Sequence, residues 1–276
     1  MTKVDTPQVD SEWRNVARSI NRVLRPTARV DLCGVAYTLR SEARPNGSDR
    51  DYHVLRQLAR GKHCILDVGA NVGLTSLVMA KSGLAGDGRI YAFEASEAAC
   101  HLIRDNAALN GLAPVITVIN ALIAERSGLA IDFYGDAASG SASIIPGYLA
   151  HHQPLRKATL ALDDFVDDTA CVPDLIKIDV EGAELRVLSG LAATMRSARP
   201  LIFVELHSWG DLTVVDTAGT LMQQLAPLDY RLIYLRTKET IVDPAVLAGR
   251  GRCHVLACPD ELEFVSELEA LDSEGL

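Results

Sequence analysis

The 276-residue chain is 48% hydrophobic and 23% charged, which suits an ordered globular protein and excludes an intrinsically disordered one. Its formal net charge of -9 disfavours nucleic acid as a partner, because nucleic-acid-binding proteins normally carry a clustered basic face. No apolar run approaches the roughly 20 residues of a membrane-spanning helix, so we expect no membrane partner.

The six cysteines are scattered along the chain, without a CxxC pair or a metal-ligand spacing. They are typical of buried, reduced thiols, which pack as small hydrophobic side chains. The first ten residues hold no apolar run of the kind found in a secretory signal. Both features lead us to expect a cytoplasmic protein.

Residues 1–60 are predicted to form an N-terminal extension. Within residues 9–24, apolar side chains recur every three or four positions, which predicts a helix with one apolar stripe. That stripe suits packing on the main domain or on a second copy of the chain, so the sequence leaves a homodimer open. Residues 29–40 alternate like a short hairpin, and residues 48–59 are typical of a helix capped by Ser48.

Between residues 61 and 262, apolar β-rich runs alternate with helical patterns. Near-continuous apolar runs favour strands covered on both faces, and hence a mostly parallel, seven-stranded sheet with helices on both sides. The expected strands are residues 63–68, 89–94, 115–120, 174–180, 201–206, 230–235 and 253–258. The expected helices are residues 74–83, 96–111, 182–190 and 221–228. The sequence thus predicts an α/β protein with a Rossmann-like sheet, followed by a C-terminal tail at residues 263–276.

The interval from residue 121 to residue 173 is too long for one crossover connection. It holds a strand-like run at residues 129–134 and a segment rich in glycine, alanine and serine at residues 135–147. An insertion beside strand ends is a usual place for contacts with a ligand. The serines of this segment, Ser141 among them, are candidates for contacting an adenine ring or closing over the site.

A strand, a tight turn and a helix are predicted over residues 65–81. Gly69 and Gly73 permit unusual backbone angles and close approach of a ligand, and the N–H groups at the helix start face whatever binds there. Asp67 ends the strand, just before the first glycine. A carboxylate here would repel the pyrophosphate of a dinucleotide, whereas S-adenosyl-L-methionine carries a sulfonium and an ammonium group. The sign of the charge therefore favours S-adenosyl-L-methionine as the cofactor.

A second acid, Glu94, ends the next strand, where an acidic side chain can accept hydrogen bonds from both ribose hydroxyls. Ligands of open α/β sheets bind outside the carboxyl ends of the strands. Asp179, Glu205 and His207 lie at the ends of two further predicted strands, so we expect them on the same rim. Such a rim needs a cationic or protic partner.

Five segments, in this order and spacing, resemble the FkbM family of S-adenosylmethionine-dependent methyltransferases: DVGANVG, AFEAS, LDDF, IDVEGAELRVLSG and FVELH. The likeness covers roughly residues 30 to 210, and it departs from the family where AFEA replaces the usual AFEP. The resemblance implies a class I methyltransferase fold and O-methylation of a small molecule such as a sugar, a glycoside or a polyketide-type natural product. The expected cofactor contacts are Asp67, Gly69, Asn71, Gly73, Glu94, Ala95, Ala121, Ser141 and Asp179.

The proposed chemistry needs a group that activates the acceptor, because an alcohol is a poor nucleophile unless a base removes its proton or a metal ion lowers its pKa. We assign the base to Asp179 or His207, with Glu205 orienting the acceptor or the histidine. A divalent ion held by these three residues is chemically reasonable, and the sequence does not decide it. Glu181 and Glu184 either join this rim or cap the helix that they begin.

Two other functions stay open at the level of the sequence. A nicotinamide-dependent oxidoreductase uses the same kind of sheet, and a nucleoside-binding protein without catalysis would present a similar rim. Binding of S-adenosylhomocysteine or of NAD(P)H separates the first of these from a methyltransferase.

Overall fold

The computed structural model describes residues 26–45, 51–135, 142–144, 154–209, 211–262 and 269–270. The predicted helix at residues 9–24, the predicted cap Ser48 and most of the C-terminal tail lie outside the described residues. The strands are β1 (Thr27–Leu32), β2 (Val35–Arg40), β3 (Cys64–Val68), β4 (Arg89–Glu94), β5 (Ile116–Asn120), β6 (Leu122–Ile123), β7 (Ala130–Gly135), β8 (Ala142–Ser143), β9 (Leu155–Leu160), β10 (Leu175–Ile178), β11 (Leu201–His207), β12 (Tyr230–Tyr234), β13 (Glu239–Thr240) and β14 (Arg252–Pro259). The α-helices are α1 (Asp51–Leu58), α2 (Leu74–Ala80), α3 (Glu97–Leu109), α4 (Leu162–Thr169), α5 (Glu184–Ser189), α6 (Ala192–Ser197) and α7 (Val214–Leu225).

Eight strands form the main sheet, in the order β13-β12-β14-β11-β10-β3-β4-β5. The run from β11 to β5 pairs in parallel, while β14 lies antiparallel between β11 and β12. All seven strands that the sequence predicts are found in this sheet. The additional strand, β13, has two residues, both exposed, so no apolar run could indicate it. The expected α/β fold with a mostly parallel sheet is confirmed.

The central strands are apolar because both faces of the sheet are covered. Every residue of β3, β10 and β11 is buried, including the charged residues Asp67, Lys177 and Glu205. One core lies on each face of the sheet, with Leu188 of α5 in the first and Val78 of α2 in the second. Buried charges are stable only when they are paired. The three charged residues therefore mark the part of the sheet where a site for function, rather than an apolar core, is to be sought.

The predicted helices that fall within the described residues are present, with shifted ends. Helix α3 begins after Ser96, whose Oγ accepts the Ala99 N–H at 3.3 Å, as expected for its cap. Helix α7 begins well before residue 221, because Thr213 and Asp216 form a capping box that starts it at Val214. Among the residues that the structure describes, no helix is long and apolar enough to cross a bilayer.

The predicted hairpin, β1 and β2, packs against α3. The backbone N–H of Thr38 donates to Asn110 Oδ1 at 3.0 Å, and that of Arg40 donates to Asn106 Oδ1 at 2.8 Å. Tyr37 is buried beneath the hairpin. Two asparagines of one helix therefore hold the hairpin on the helical layer of the main sheet.

The interval between β5 and α4 forms a second, smaller sheet with the strand order β6-β9-β7-β8. The pairing of β6 with β9 is parallel, and β7 pairs antiparallel with β8 and β9. The predicted strand at residues 129–134 is β7. This sheet follows directly on the carboxyl end of β5, so it lies beside the strand ends of the main sheet.

Candidate active site

A cavity opens at the carboxyl ends of β3, β4 and β10, next to the second sheet. The main sheet and its loops supply Gly69, Glu94 and Asp179 to its wall, and the second sheet supplies Phe133 and Ser143. The cavity therefore lies where open α/β sheets bind their ligands.

Gly69 allows the ends of β3 and β10 to come into contact. Its φ of +75° lies in the left-handed region, and a Cβ atom here would be 1.8 Å from the backbone oxygen of Asp179. The N–H groups of Gly69 and Ala70 both donate to the backbone oxygen of Phe93 at 3.0 Å. These two N–H groups are not free to bind a ligand, because the end of β4 already accepts them.

The other two predicted turn contacts, Asn71 and Gly73, lie in different surroundings. Asn71 lines the cavity, and its backbone N–H donates to Glu94 Oε2 at 2.8 Å. Gly73 is buried at the start of α2 with a φ of +87°, and a Cβ atom there would be 3.0 Å from Ile103 Cγ2. Close packing against α3 explains the glycine at this position without a ligand contact.

The carboxylate of Asp67 is fully buried, with 0% of the residue exposed. Its Oδ2 accepts hydrogen bonds from Thr75 Oγ1 at 2.8 Å and from Ser76 Oγ at 2.5 Å, both on α2. Its Oδ1 accepts no hydrogen bond from any described residue and lies 3.5 Å from Lys177 Nζ. The expectation that this carboxylate faces a positively charged cofactor is not met, because α2 and the lysine enclose it. Asp67 acts on the cavity through Lys177.

Lys177 has a role that no sequence motif indicates. It lies opposite Asp67 in the register of β10 and β3, and its Nζ donates to the Gly69 oxygen at 2.9 Å. The same Nζ is 3.4 Å from Asp179 Oδ2. Burial alone would lower the pKa of Lys177, but the carboxylates of Asp179 and Asp67 outweigh burial and raise it. The charged lysine therefore links the ends of β3 and β10. In the sequence, the feature that could indicate this role is a single lysine in an otherwise apolar strand.

Glu94 presents a buried carboxylate to the cavity from the end of β4. Its Oε2 accepts the Asn71 N–H and its Oε1 accepts the Ser96 N–H, each at 2.8 Å. Burial raises the pKa of Glu94, and the backbone hydrogen bonds oppose that shift. Each oxygen keeps a further lone pair for a ligand hydroxyl. The predicted neighbours Ala95 and Ala121 line the cavity beside it.

Much of the remaining cavity wall is apolar. It is formed by side chains of β4, α3 and the second sheet, namely Phe93, Leu102, Leu122, Ile123, Phe133 and Ile144. Such a wall suits a flat aromatic ring. Ser143 borders it and donates from Oγ to the Glu181 backbone oxygen at 2.8 Å. The predicted contact Ser141 lies outside the described residues.

Four carboxylates surround His207 at the end of β11. Its Nδ1 is 3.0 Å from Glu184 Oε1. Its Nε2 is 3.5 Å from Glu181 Oε2, 3.7 Å from Glu205 Oε1 and 3.8 Å from Asp179 Oδ1. The structure thus brings together all three residues that the sequence assigns to the acceptor. Asp179 and Glu181 line the cavity, so the cluster opens onto it.

The four carboxylates change the acid-base state of the histidine. Burial alone would lower the pKa of His207, but the hydrogen bond to Glu184 and the surrounding negative charges raise it to about 9. At neutral pH the imidazole is then protonated and has no free lone pair. In this state His207 cannot accept a proton from an acceptor hydroxyl. Glu184, expected either to join the rim or to cap a helix, contacts the histidine of the rim, and its Oε1 also accepts the Gly182 N–H at 2.9 Å. It does not cap the helix, because the N-cap Ala183 of α5 has no side-chain capping bond.

A second buried ion cluster adjoins the first through Glu205. His254 Nε2 on β14 is 3.0 Å from Asp51 Oδ2 on α1 and 3.5 Å from Glu205 Oε2. Burial alone would lower the pKa of His254, but the two carboxylates raise it to about 10. The other oxygen of Glu205, Oε1, faces His207 and lies 3.0 Å from Arg252 Nη1. No local motif indicates this cluster, because the pairing of β11 with β14 brings Glu205 and His254 together and α1 supplies Asp51.

The strand order and a cavity at the ends of β3, β4 and β10 define a protein of the class I methyltransferase fold. The family described as Methyltransferase FkbM domain matches residues 67–232. The chain therefore belongs to the FkbM methyltransferase family. The resemblance drawn from the five sequence segments is thereby confirmed.

Several solved structures are similar in fold at low sequence identity. Methyltransferase FkbM from Methylobacillus flagellatus is 17% identical, with a TM-score of 0.46 over 71% of this chain and 44% of that chain. A SAM-dependent methyltransferase from Agrobacterium tumefaciens is 14% identical, with a TM-score of 0.48 over 85% of this chain and 71% of that chain. TYW2 from M. jannaschii, in complex with AdoMet, is 13% identical, with a TM-score of 0.43 over 84% of each chain. The chain spans less than half the length of the Methylobacillus protein. A comparison with curated proteins finds no match.

Proposed function

We propose that the protein transfers a methyl group from S-adenosyl-L-methionine to a hydroxyl oxygen of a small molecule, such as a sugar, a glycoside or a polyketide-type natural product. The proposal rests on the division of the cavity into two chemically different parts. Glu94 and the apolar wall form one part, and Asp179 with its acid-histidine cluster forms the other. The first part suits a nucleoside, and the second suits a positively charged group beside a protic acceptor.

The cofactor is proposed to bind with its ribose at Glu94 and its adenine on the apolar wall. The two oxygens of Glu94 each retain a lone pair for a ribose hydroxyl. The methionine ammonium and the sulfonium then lie toward Asp179, whose negative charge compensates theirs. Asn71, Ala95 and Ala121 border the nucleoside in this arrangement. Further members of the proposed site are Asp67, Gly69 and Gly73, which shape the turn, and Ser141.

The acceptor is proposed to meet the methyl group beside Asp179, Glu205 and His207. Transfer from a sulfonium requires an in-line approach, so positioning supplies much of the rate. Asp179 directs Oδ2 to Lys177, which leaves Oδ1 to accept the proton of the acceptor hydroxyl. Glu205, two residues before His207 on the same strand β11, positions the imidazole.

The charge of the protein supports a small-molecule acceptor. A net charge of -9 and an acidic cavity favour a neutral or cationic hydroxylated compound over nucleic acid. The cytoplasmic location and a homodimer are proposals that rest on the sequence alone. Gel filtration with light scattering checks the second of these.

Titration calorimetry tests the cofactor, with S-adenosylhomocysteine and NAD(P)H as the candidates. We expect S-adenosylhomocysteine to bind and the nicotinamide cofactors to show no saturable heat. Tight binding of a nicotinamide cofactor alone would contradict the proposal and favour an oxidoreductase.

Methyl transfer is tested with S-adenosyl-L-methionine carrying a ¹³C-labelled methyl group and a panel of small hydroxyl, amine and thiol acceptors. We expect a product whose methyl carbon resonates in the O–CH₃ region of the NMR spectrum. Transfer only to nitrogen, sulfur or carbon would refute the oxygen assignment. Cofactor binding without transfer to any compound of the panel or of a cell extract would favour a nucleoside-binding protein.

A further inference from the structure

The distances around His207 are those of ligands on a shared ion rather than of hydrogen bonds. Its Nε2 faces oxygens of Glu181, Glu205 and Asp179 at 3.5, 3.7 and 3.8 Å. An N–H donor and its acceptor are normally about 2.7–3.2 Å apart. Two ligands of a tetrahedral ion with bonds of about 2.1 Å are about 3.4 Å apart. Three carboxylates therefore surround one ring nitrogen, and none approaches it as a strong hydrogen-bond acceptor.

Glu205 supplies a second, independent observation. Only 4% of this residue is exposed, and its Oε1 accepts no hydrogen bond from any residue that the structure describes. Arg252 Nη1 forms an ionic contact with Oε1 at 3.0 Å. A buried carboxylate oxygen without a hydrogen bond is costly. Because Oε1 and His207 Nε2 are 3.7 Å apart, a cation between them would contact both atoms, in addition to the ion pair of Oε1 with Arg252.

The histidine and the aspartate are held as metal ligands usually are. His207 Nδ1 is 3.0 Å from Oε1 of Glu184, a residue that is 1% exposed. Metal-binding imidazoles commonly donate their second N–H to a carboxylate, which fixes the ring. Asp179 is held in a similar way, because its Oδ2 contacts Lys177 and its Oδ1 points into the cluster.

We propose that Asp179, Glu205 and His207 bind a divalent transition-metal ion, with Glu181 as a fourth ligand. A set of one imidazole and three carboxylates suits ions such as Mn²⁺ or Zn²⁺. Because Asp179 and Glu181 line the cavity, a remaining coordination position faces the acceptor. The neighbouring group of Asp51, His254 and Glu205 also has a ligand-like composition, but all three residues are buried and the 3.0 Å contact is an ordinary ion pair.

The inference rests on the proposed methyl transfer to oxygen and changes the role of Asp179 from base to ligand. It also requires the neutral form of His207, because the metal ion replaces the proton on Nε2. The ion binds the acceptor hydroxyl oxygen and lowers its pKa, so that the proton leaves to water. A lone pair of that oxygen then forms the O–C bond to the methyl group. The C–S bond breaks, and its electrons remain on the sulfur of neutral S-adenosylhomocysteine.

Mn²⁺ is the probe, added to the full chain after treatment with a chelator. Calorimetry gives its affinity, and pulsed electron paramagnetic resonance detects coupling to an imidazole nitrogen. We expect one Mn²⁺ site with nitrogen coupling, and a loss of affinity of about tenfold or more in His207→Gln and in Glu181→Gln. The control is His101→Gln, since His101 also faces a glutamate, Glu97 at 4.0 Å, on the exposed surface of α3. The control should bind Mn²⁺ like the wild type.

Equal Mn²⁺ affinity in the wild type and in folded Glu181→Gln and His207→Gln proteins would overturn the proposal. Glu181 is the safer variant for folding, because its side chain is 31% exposed. Loss of Mn²⁺ binding in Asp51→Asn alone would place the ion in the neighbouring cluster and would also overturn it. Binding of S-adenosylhomocysteine is measured on the same metal-free samples. If S-adenosylhomocysteine binds and Mn²⁺ does not, only the proposed metal site is refuted. If S-adenosylhomocysteine does not bind, the proposed function is refuted.

Discussion

Glu94 shows how a single residue can be prepared for a ligand before the ligand arrives. Two backbone N–H groups fix its carboxylate, one on each oxygen, while the side chain remains on the cavity wall. A group that is already ordered loses little conformational entropy on binding. The carboxylate is therefore preorganised to receive two hydroxyl groups of one ribose.

Glu94→Gln should weaken binding of S-adenosylhomocysteine by about 10- to 150-fold, the equivalent of one lost charge-assisted hydrogen bond. The amide nitrogen of glutamine would also face a backbone N–H donor of Asn71 or Ser96, which disturbs the orientation of the side chain. Calorimetry measures the dissociation constant, with Glu97→Gln as the control, since Glu97 is 79% exposed nearby. An unchanged constant in Glu94→Gln would remove this residue from the cofactor site.

Lys177 is the counter-charge of two carboxylates, and its removal should destabilise the protein. Lys177→Met leaves Asp67 and Asp179 without the cation between them, which costs about 3–5 kcal/mol for a buried pair. Urea unfolding measures this loss of stability. The control is Lys157→Met, because Lys157 is a partly exposed lysine of β9, and this variant should lose about 0.5 kcal/mol or less. Adding Asp67→Asn to Lys177→Met should recover part of the stability. A Lys177→Met protein as stable as the control would show that the lysine is not needed there.

The acids of the site can be predicted from their place at strand ends, but their partners cannot. Asp179, Glu205 and His207 come together because parallel strands end at the same edge of the sheet. The partner of the Asp67 carboxylate depends on the register of β3 against β10, because this register places Lys177 beside it. Register is a long-range property, and a local motif does not contain it.

At the scale of elements, the strands could be predicted because the main sheet is covered on both faces. The predicted runs are nearly continuous in apolar residues, and a covered strand requires this. The two-residue strands β6, β8 and β13 are too short to show any periodicity. The sequence predicts the start of helix α7 too late in the chain, because the first turn is rich in β-branched residues and has a weak helical propensity. The capping box offsets this weak propensity.

The contact between the ends of β3 and β10 leads to a test at Gly69. Gly69→Ala would place a Cβ atom 1.8 Å from the Asp179 oxygen, so the loop that carries Asp179 must move. A displacement of about 1 Å can lower turnover by roughly 100-fold. Gly34→Ala is the matched control, because its φ of +73° is similar and nothing lies within 4 Å of the added atom.

Both variants should lose about 1–3 kcal/mol of stability from the left-handed backbone, as measured by denaturant unfolding, and Gly69→Ala should lose more because of its clash with Asp179. Only Gly69→Ala should lose turnover as well, measured with labelled S-adenosyl-L-methionine. Comparable turnover in the two variants would mean that the contact with Asp179 does not position a catalytic group.

At the scale of the whole molecule, the cavity joins two sheets, so a ligand should stabilise both. Glu94 and Asp179 come from the main sheet, while Phe133 and Ser143 come from the smaller one. S-adenosylhomocysteine at about 100 times its dissociation constant should add about 2.7 kcal/mol and raise the melting temperature by roughly 5–10 °C. Differential scanning calorimetry measures the shift, with NAD as the control ligand. An equal shift with NAD would show that the cavity does not select the proposed cofactor.

The antiparallel position of β14 has a consequence for synthesis on the ribosome. Strand β14 lies between β11 and β12, although both precede it in the chain. Until it emerges, on the order of seconds after β11 at about 5–20 residues per second, β11 presents an unpaired edge. His254 and Arg252, which face Glu205, arrive on that same late strand. A nascent chain therefore carries an open, aggregation-prone edge and an uncompensated buried acid until almost all of the described sequence has been translated.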